Sequence, residues 1–171
     1  GYFAEHVKER RARPGDDLTD ALVAAEIDGD RLSDRDIIAC LFLMIIAGNE
    51  TTTKLLGNAL VHLARHPEQR RRVTEDPGLV PGWIEETLRY DASSQLIARV
   101  TTCDVALHGR TIPAGSKVAL LIGSANRDER VFDEPDRYLV TRDCKESLAF
   151  GRGLHFCLGA ALARLEGRIS L

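Results

Sequence analysis

Phe150-Gly151-Arg152-Gly153-Leu154-His155-Phe156-Cys157-Leu158-Gly159 places one cysteine in a loop bracketed by glycines, with a helical pattern directly behind it. Leu158, Ala161, Leu162, Leu165 and Ile169 share one face at helical spacing, and Arg164, Glu166 and Arg168 fall between them, which predicts an amphipathic helix from Leu158 onward. The start of a helix favours negative charge because its first N–H groups are unpaired, so Cys157 stands where a thiolate is stabilised. Gly151, Gly153 and Gly159 carry no Cβ and let a bulky planar ligand approach the main chain. A buried structural cysteine is an equally good reading of the loop taken alone. His155 with Cys157 also admits a nucleophile and base pair or a zinc site, but zinc takes three or four ligands at recognisable spacings and Cys40, Cys103 and Cys144 form no C-x-x-C.

Composition narrows the class. With 171 residues, 44% apolar and 29% charged, the chain has the make-up of a globular protein with enough apolar side chains for one core. A net charge of -3 argues against a nucleic-acid partner. Four scattered cysteines without framework spacing suggest a reducing compartment, and no secretory signal is present.

The strongest apolar run, Ile37 to Gly48, is too short for a membrane span and reads as part of a buried helix. Ser33 with Asp36 resembles a capping box and Pro67 bars continuation, so one helix is predicted from about Asp34 to His66. Within it, Ala47-Gly48-Asn49-Glu50-Thr51-Thr52-Thr53 is a poor helix interior, with a glycine and three β-branched threonines. Ala47, Gly48 and Thr51 share a face, two small residues and a hydroxyl against which a ligand could lie, with the Glu50 carboxylate beside them. A small-residue packing groove with a solvated Glu50 explains the same pattern.

Pro81 to Tyr90 reads as a short helix with Trp83, Ile84 and Leu88 inward, carrying Glu86 and Arg89 three apart; such a pair is usually a surface ion pair. Ala98 to Arg127 alternates short β-branched or apolar runs with turn signals at His108-Gly109-Arg110 and Pro113-Ala114-Gly115, predicting two or three strands in hairpins. Asp128 to Ala149 lacks a clean period and reads as irregular. Tyr2 to Arg13 and Leu18 to Glu26 are helix candidates separated by a turn.

Taken together, three segments resemble the cytochromes P450. The haem-loop pattern F-x-x-G-x-x-x-C-x-G is met at Phe150, Gly153, Cys157 and Gly159, and the bacterial form F-G-x-G-x-H-x-C-x-G at every fixed position. A-G-x-E-T-T is met at Ala47 to Thr52, and E-x-x-R at Glu86 and Arg89. The resemblance implies a mainly α fold with a small β component: a long central helix, a haem-binding loop with its following helix, and short β-hairpins. It makes Cys157 the axial thiolate on the iron of haem b, iron protoporphyrin IX, and sets Phe150, Gly151 and Gly159 beside it. His155 and Arg99 become propionate contacts, and Ala47 and Gly48 a surface along the haem. Glu50 and Thr51 inherit proton delivery during dioxygen activation.

By the same resemblance Glu86 and Arg89 join a later arginine in a structural triad. Pro135-x-x-Tyr138-x-Val140-Thr141-Arg142 matches P-x-x-F-x-P-x-R except at Val140, which makes Arg142 that partner. Ser93 to Ala98 would line the substrate pocket, with Asp91-Ala92-Ser93-Ser94-Gln95 where relatives often carry proline.

The implied activity is a bacterial haem-thiolate monooxygenase acting on a small organic substrate in the cytoplasm, with no membrane. Its electrons would come from NAD(P)H through ferredoxin reductase and ferredoxin, with Arg152 and Arg164 as candidates for a basic partner-binding patch. The alternatives are peroxide-driven haem-thiolate chemistry, a non-catalytic fragment serving as a folding or interaction module, and, more distantly, a cysteine hydrolase using His155 and Cys157. The chain begins without methionine and ends inside the helix behind Cys157, so residues 1–171 are expected to be a single incomplete domain, truncated at both ends, that by itself binds haem weakly or not at all.

Overall fold

A reciprocal cap starts the longest element: the Asp36 amide donates to Ser33 Oγ at 3.2 Å and the Ser33 amide to Asp36 Oδ2 at 3.2 Å. The Ser33 hydroxyl, which donates to Asp36 Oδ2 at 2.5 Å, and next the Ser33 amide hold the Asp36 carboxyl below its usual range. Helix α3 then runs Asp34–Arg65, about 48 Å at a rise of ~1.5 Å per residue. The computed structural model describes all residues, 1–171, and falls into two compact units, Gly1–Glu50 and Thr51–Leu171, with α3 contributing to both.

In the first unit, α1 (Tyr2–Ala12) and α2 (Leu18–Ala24) precede a two-strand ladder, β1 (Glu26–Ile27) and β2 (Asp30–Arg31). Asp17 caps α2 by accepting from the Thr19 and Asp20 amides. Arg11 ties α1 to the α3 start through Asp34 at 2.6 Å. Asp28 and Gly29 both take positive φ, 54° and 87°, the geometry a tight hairpin needs, and the sequence pattern does not foretell that ladder.

In the second unit, α4 (Pro67–Glu75) and α5 (Val80–Tyr90) follow α3. The proline expected only to stop α3 also occupies the first turn of α4, where its missing N–H costs nothing. Ala59, Leu63, Val73, Trp83, Tyr138 and Val140 form the main core, and Leu55, Ile84 and Leu88 a second cluster reaching toward Phe150. Four strands stand where two or three were expected. β3 (Ile97–Val100) pairs antiparallel with β6 (Lys117–Leu120), enclosing the hairpin of β4 (Val105–Leu107) and β5 (Arg110–Ile112), whose turn at His108 and Gly109 has φ of 48° and 73°. After the short α6 (Ile122–Ala125) residues 128–149 are irregular, as expected, and a single 3-10 turn at Gly153–His155 precedes α7 (Ala160–Ser170).

The architecture is mainly α with a small β component, as the sequence predicts, but two expected burials fail. Phe42, Leu43, Ile45 and Ile46 on α3 are each more than half exposed, because apolar residues ring that part of the helix and the first unit covers chiefly the Ile37 side. By length and composition α3 could cross a membrane. The leucine face behind Cys157 does not pack: Leu158, just before α7, is 92% exposed, and Leu162, Leu165 and Ile169 on α7 are also open. The buried side carries Ala160 and Gly167, and a Cβ at Gly167 would lie 3.0 Å from Ile84 Cδ1 on α5, so the small residue lets the two helices approach closely.

Candidate active site

The cysteine loop is built by two left-handed glycines and one backbone clasp. Gly151 and Gly153 have φ of 71° and 64°, which turn the chain back so that the Cys157 amide donates to the Phe150 carbonyl at 2.8 Å. A Cβ at Gly151 would lie 3.1 Å from the His155 carbonyl oxygen. The Phe156 amide bonds Gly153 O at 3.0 Å, and the Ala160 amide bonds Cys157 O at 3.2 Å, so α7 begins three residues after the cysteine rather than directly behind it. The Cys157 thiol is exposed. Apolar side chains Leu154, Phe156 and Leu158 stand open beside it, and a Cβ at Gly159 would sit 4.0 Å from Sγ.

These residues fit a haem. No group of three or more His, Cys, Asp or Glu residues is arranged to hold a metal ion, so the ligand set that a structural zinc takes is not assembled around Cys157. A cysteine thiol here suits a metal that brings further ligands of its own. The open apolar surface and the space above Gly159 suit a large flat ligand.

Behind the loop, Arg164 on α7 donates to both Glu85 carboxylate oxygens at 2.5 and 3.1 Å and lies 4.7 Å over the Phe150 ring. Hydrogen bonding to Glu85 pushes the Arg164 guanidinium higher still. Arg152 pairs with Glu146. Both arginines expected to offer positive charge to a partner are therefore offset by carboxylates, because each sits beside an acid that the linear sequence does not place next to it.

Deeper in, Arg89 and Glu86 are completely buried. Arg89 donates from Nε and Nη2 to Glu86 at 2.7 and 2.9 Å, and from Nη1 to the carbonyls of Asn126 and Pro135, both at 2.9 Å. Glu86 Oε1 also accepts from the Leu139 amide at 2.8 Å and from Arg142 Nε at 3.2 Å. The meander from Pro135 to Arg142 is thus pinned onto α5. Burial, and next the Glu86 carboxylate, push the Cys144 thiol up to about 12.

Ala47, Gly48, Glu50 and Thr51 are all helical, and nothing lies within 4 Å of where a Gly48 Cβ would be. The Thr51 carbonyl accepts from Ser93 Oγ at 2.7 Å. Arg99 is exposed, paired across the ladder with Val118, and its guanidinium donates to its neighbour Ala98. His155 is exposed at the end of the Gly153–His155 turn. Sequence reasoning missed Asn58, His62 and Asp91, which join α3 to the loop after α5; Asn58 and His62 are four apart on one helix face, the one signal available.

The family described as Cytochrome P450 matches residues 1–77 and 78–171. Cytochrome P450 123 of Mycobacterium tuberculosis (strain ATCC 25618 / H37Rv) is 58% identical over 99% of this chain and 42% of its own length. Vitamin D(3) 25-hydroxylase of Pseudonocardia autotrophica is 46% identical over 100% of the chain and 43% of its length. Among solved structures, cytochrome P450 CYP109Q5 from Chondromyces apiculatus superposes with a TM-score of 0.95 at 49% identity, covering 98% of this chain and 44% of that one. The chain spans less than half the length of these relatives.

Proposed function

The chain belongs to the cytochrome P450 family, and on that premise we propose that the whole protein is a haem-thiolate monooxygenase, inserting one oxygen atom from dioxygen into a small organic substrate. The observation that carries the reading is the exposed Cys157 thiol, whose amide is clasped by the Phe150 carbonyl on a glycine-turned loop, with no cluster of three or more His, Cys, Asp or Glu residues to hold a metal otherwise. Haem b, when bound, would supply dioxygen activation, and Cys157 Sγ would hold its iron. Phe150, Gly151 and Gly159 would border the bound group on the thiolate side. His155 and Arg99, both exposed donors, would hold the propionates, and Ala47 and Gly48 would border the macrocycle. Glu50 and Thr51 Oγ1 would deliver protons to the reacting oxygen, a role typically worth ~100-fold to 10,000-fold. Glu86, Arg89 and Arg142 act structurally, fixing the meander beneath the loop.

Oxygen insertion is supported by relatives named as a hydroxylase, an epoxidase and a steroid C26-monooxygenase. Electrons would come from NAD(P)H through a ferredoxin reductase and a ferredoxin. The cytoplasm fits bacterial relatives, and Glu50 and Lys54 interrupt the apolar stretch of α3 in a way lipid would penalise. Residues 1–171 would form one incomplete domain of this enzyme.

Turnover of the whole protein under labelled dioxygen tests the reading. One labelled atom in the product, with reductant consumed and peroxide alone giving no turnover, is expected. Turnover sustained by peroxide alone, without dioxygen, would replace it with peroxide-driven chemistry.

A further inference from the structure

The segment between α5 and β3, residues 91–96, has no regular structure but is fastened along α3 at successive rungs. Ser93 Oγ donates to the Thr51 carbonyl at 2.7 Å, Asn58 Nδ2 to the Asp91 carbonyl at 3.0 Å, and His62 Nε2 lies 2.9 Å from Asp91 Oδ2. Positions 51, 58 and 62 fall on one stripe of the helix, with buried Leu55 between them. Asp91 is the knot of this arrangement. Its second carboxylate oxygen accepts from Gln95 Nε2 at 3.0 Å, the same amide donates to the Ala92 carbonyl at 2.8 Å, and the Gln95 carbonyl in turn takes the Gly123 amide at 3.2 Å.

His62 is held by aromatic packing and one side-chain hydrogen bond. The residue is 8% exposed, with the Tyr90 ring at 5.0 Å and the Tyr138 ring at 5.4 Å, and its Nδ1 is buried with no partner. Because Asp91 Oδ2 is a carboxylate oxygen, the bond needs the N–H at Nε2; a proton on Nδ1 alone would bury an unpaired N–H and set two acceptors face to face. The ring's donor is therefore aimed at Asp91. Packing alone would be met equally well by phenylalanine, so the donor points to a positioning task.

The geometry points to Asn58 and His62 as positioning residues that, through Asp91, set the path of residues 93–96 and so fix how tightly a bound organic molecule is held. This deepens the proposed function and rests on its reading of that segment as a wall of the substrate pocket. His62→Phe keeps the aromatic packing and removes the donor; Asn58→Ala removes the second rung.

Two measurements on the whole haem-loaded protein test the inference. Hydrogen exchange at amides 92–96 is expected to quicken about tenfold in each variant while α5 amides keep their rates, as loss of one buried hydrogen bond predicts. Spectral titration with imidazole, which carries no apolar extension to meet the wall, is expected to be unchanged, and titration with 4-phenylimidazole to weaken about tenfold as preorganisation of the wall is lost. Unchanged loop exchange, or equal changes for both ligands, would overturn the inference. No spectral response to imidazole in the unmodified protein would overturn the haem reading itself, and the pocket role with it.

Discussion

Arg89 holds Glu86 with two parallel hydrogen bonds inside a site from which both side chains are excluded from solvent, although the residues are only three apart on one helix. A pair at this spacing usually lies on a surface and is worth little. Here the remaining donors and acceptors engage the Asn126 and Pro135 carbonyls, the Leu139 amide and Arg142, so the pair organises a segment about fifty residues further along the chain. Removing one partner leaves an uncompensated buried charge. Arg89→Ala and Glu86→Ala are each expected to cost about 3–5 kcal/mol or abolish folding. Arg142→Ala, whose partner keeps Arg89, costs less. Thermal or urea unfolding of the whole protein checks the order.

Gly82 and Gly167 make a graded test of packing. A Cβ at Gly82 would fall 2.2 Å from the Val140 carbonyl oxygen, a backbone atom held in the meander, whereas at Gly167 it meets the end of the Ile84 side chain at 3.0 Å. Gly82→Ala should destabilise by about 3 kcal/mol or more and Gly167→Ala by about 1 kcal/mol, the span typical of overpacking. Similar losses for the two would show that the meander yields.

Alkali should loosen the same region. The Cys144 thiol rises from 9.0 to about 12, chiefly by burial and then by the Glu86 carboxylate, and burial moves the Tyr138 hydroxyl the same way. A folded-state pKa raised above the unfolded value contributes stability that is complete below about pH 9 and lost as the pH climbs toward 12. The unfolding midpoint should fall across that window, and less steeply in Cys144→Ala. At pH 8 iodoacetamide should label exposed Cys103 and spare Cys144.

Much of the fold is legible from residues that act locally. Ser33 and Asp36 announce the α3 start because a capping box is closed within four residues, and the glycines around Cys157 announce the turns their φ values require. Helix α4 escapes such reading because Pro67 can stop one helix and open the next, and only the second role depends on the residues after it. The α7 face misleads because periodicity locates leucines without saying what covers them; Gly167, the residue that actually meets α5, looks like a helix breaker in sequence. The loop tether at His62 and Asp91 joins residues 29 apart, beyond the reach of any local pattern.

Thr51→Ala addresses the proposed proton delivery. Reductant consumption should continue at a comparable rate while product per reductant falls and hydrogen peroxide is released in its place. An unchanged product yield per reductant would remove Thr51 from the chemistry.

The exposed apolar side chains of α3 and α7 predict the behaviour of the 171-residue chain by itself. Open patches of this kind promote association, so it should bind a hydrophobic dye, aggregate on concentration and take up haem poorly. A monodisperse chain with one tightly bound haem would contradict this.

Whether Cys157 is the thiolate ligand of haem iron is read directly by the carbon monoxide difference spectrum of the reduced whole protein. A thiolate-type Soret band is expected, at a position no histidine-ligated haem shares, and it should disappear in Cys157→Ser. A histidine-type band in the unmodified protein, or a thiolate-type band that survives Cys157→Ser, would contradict it.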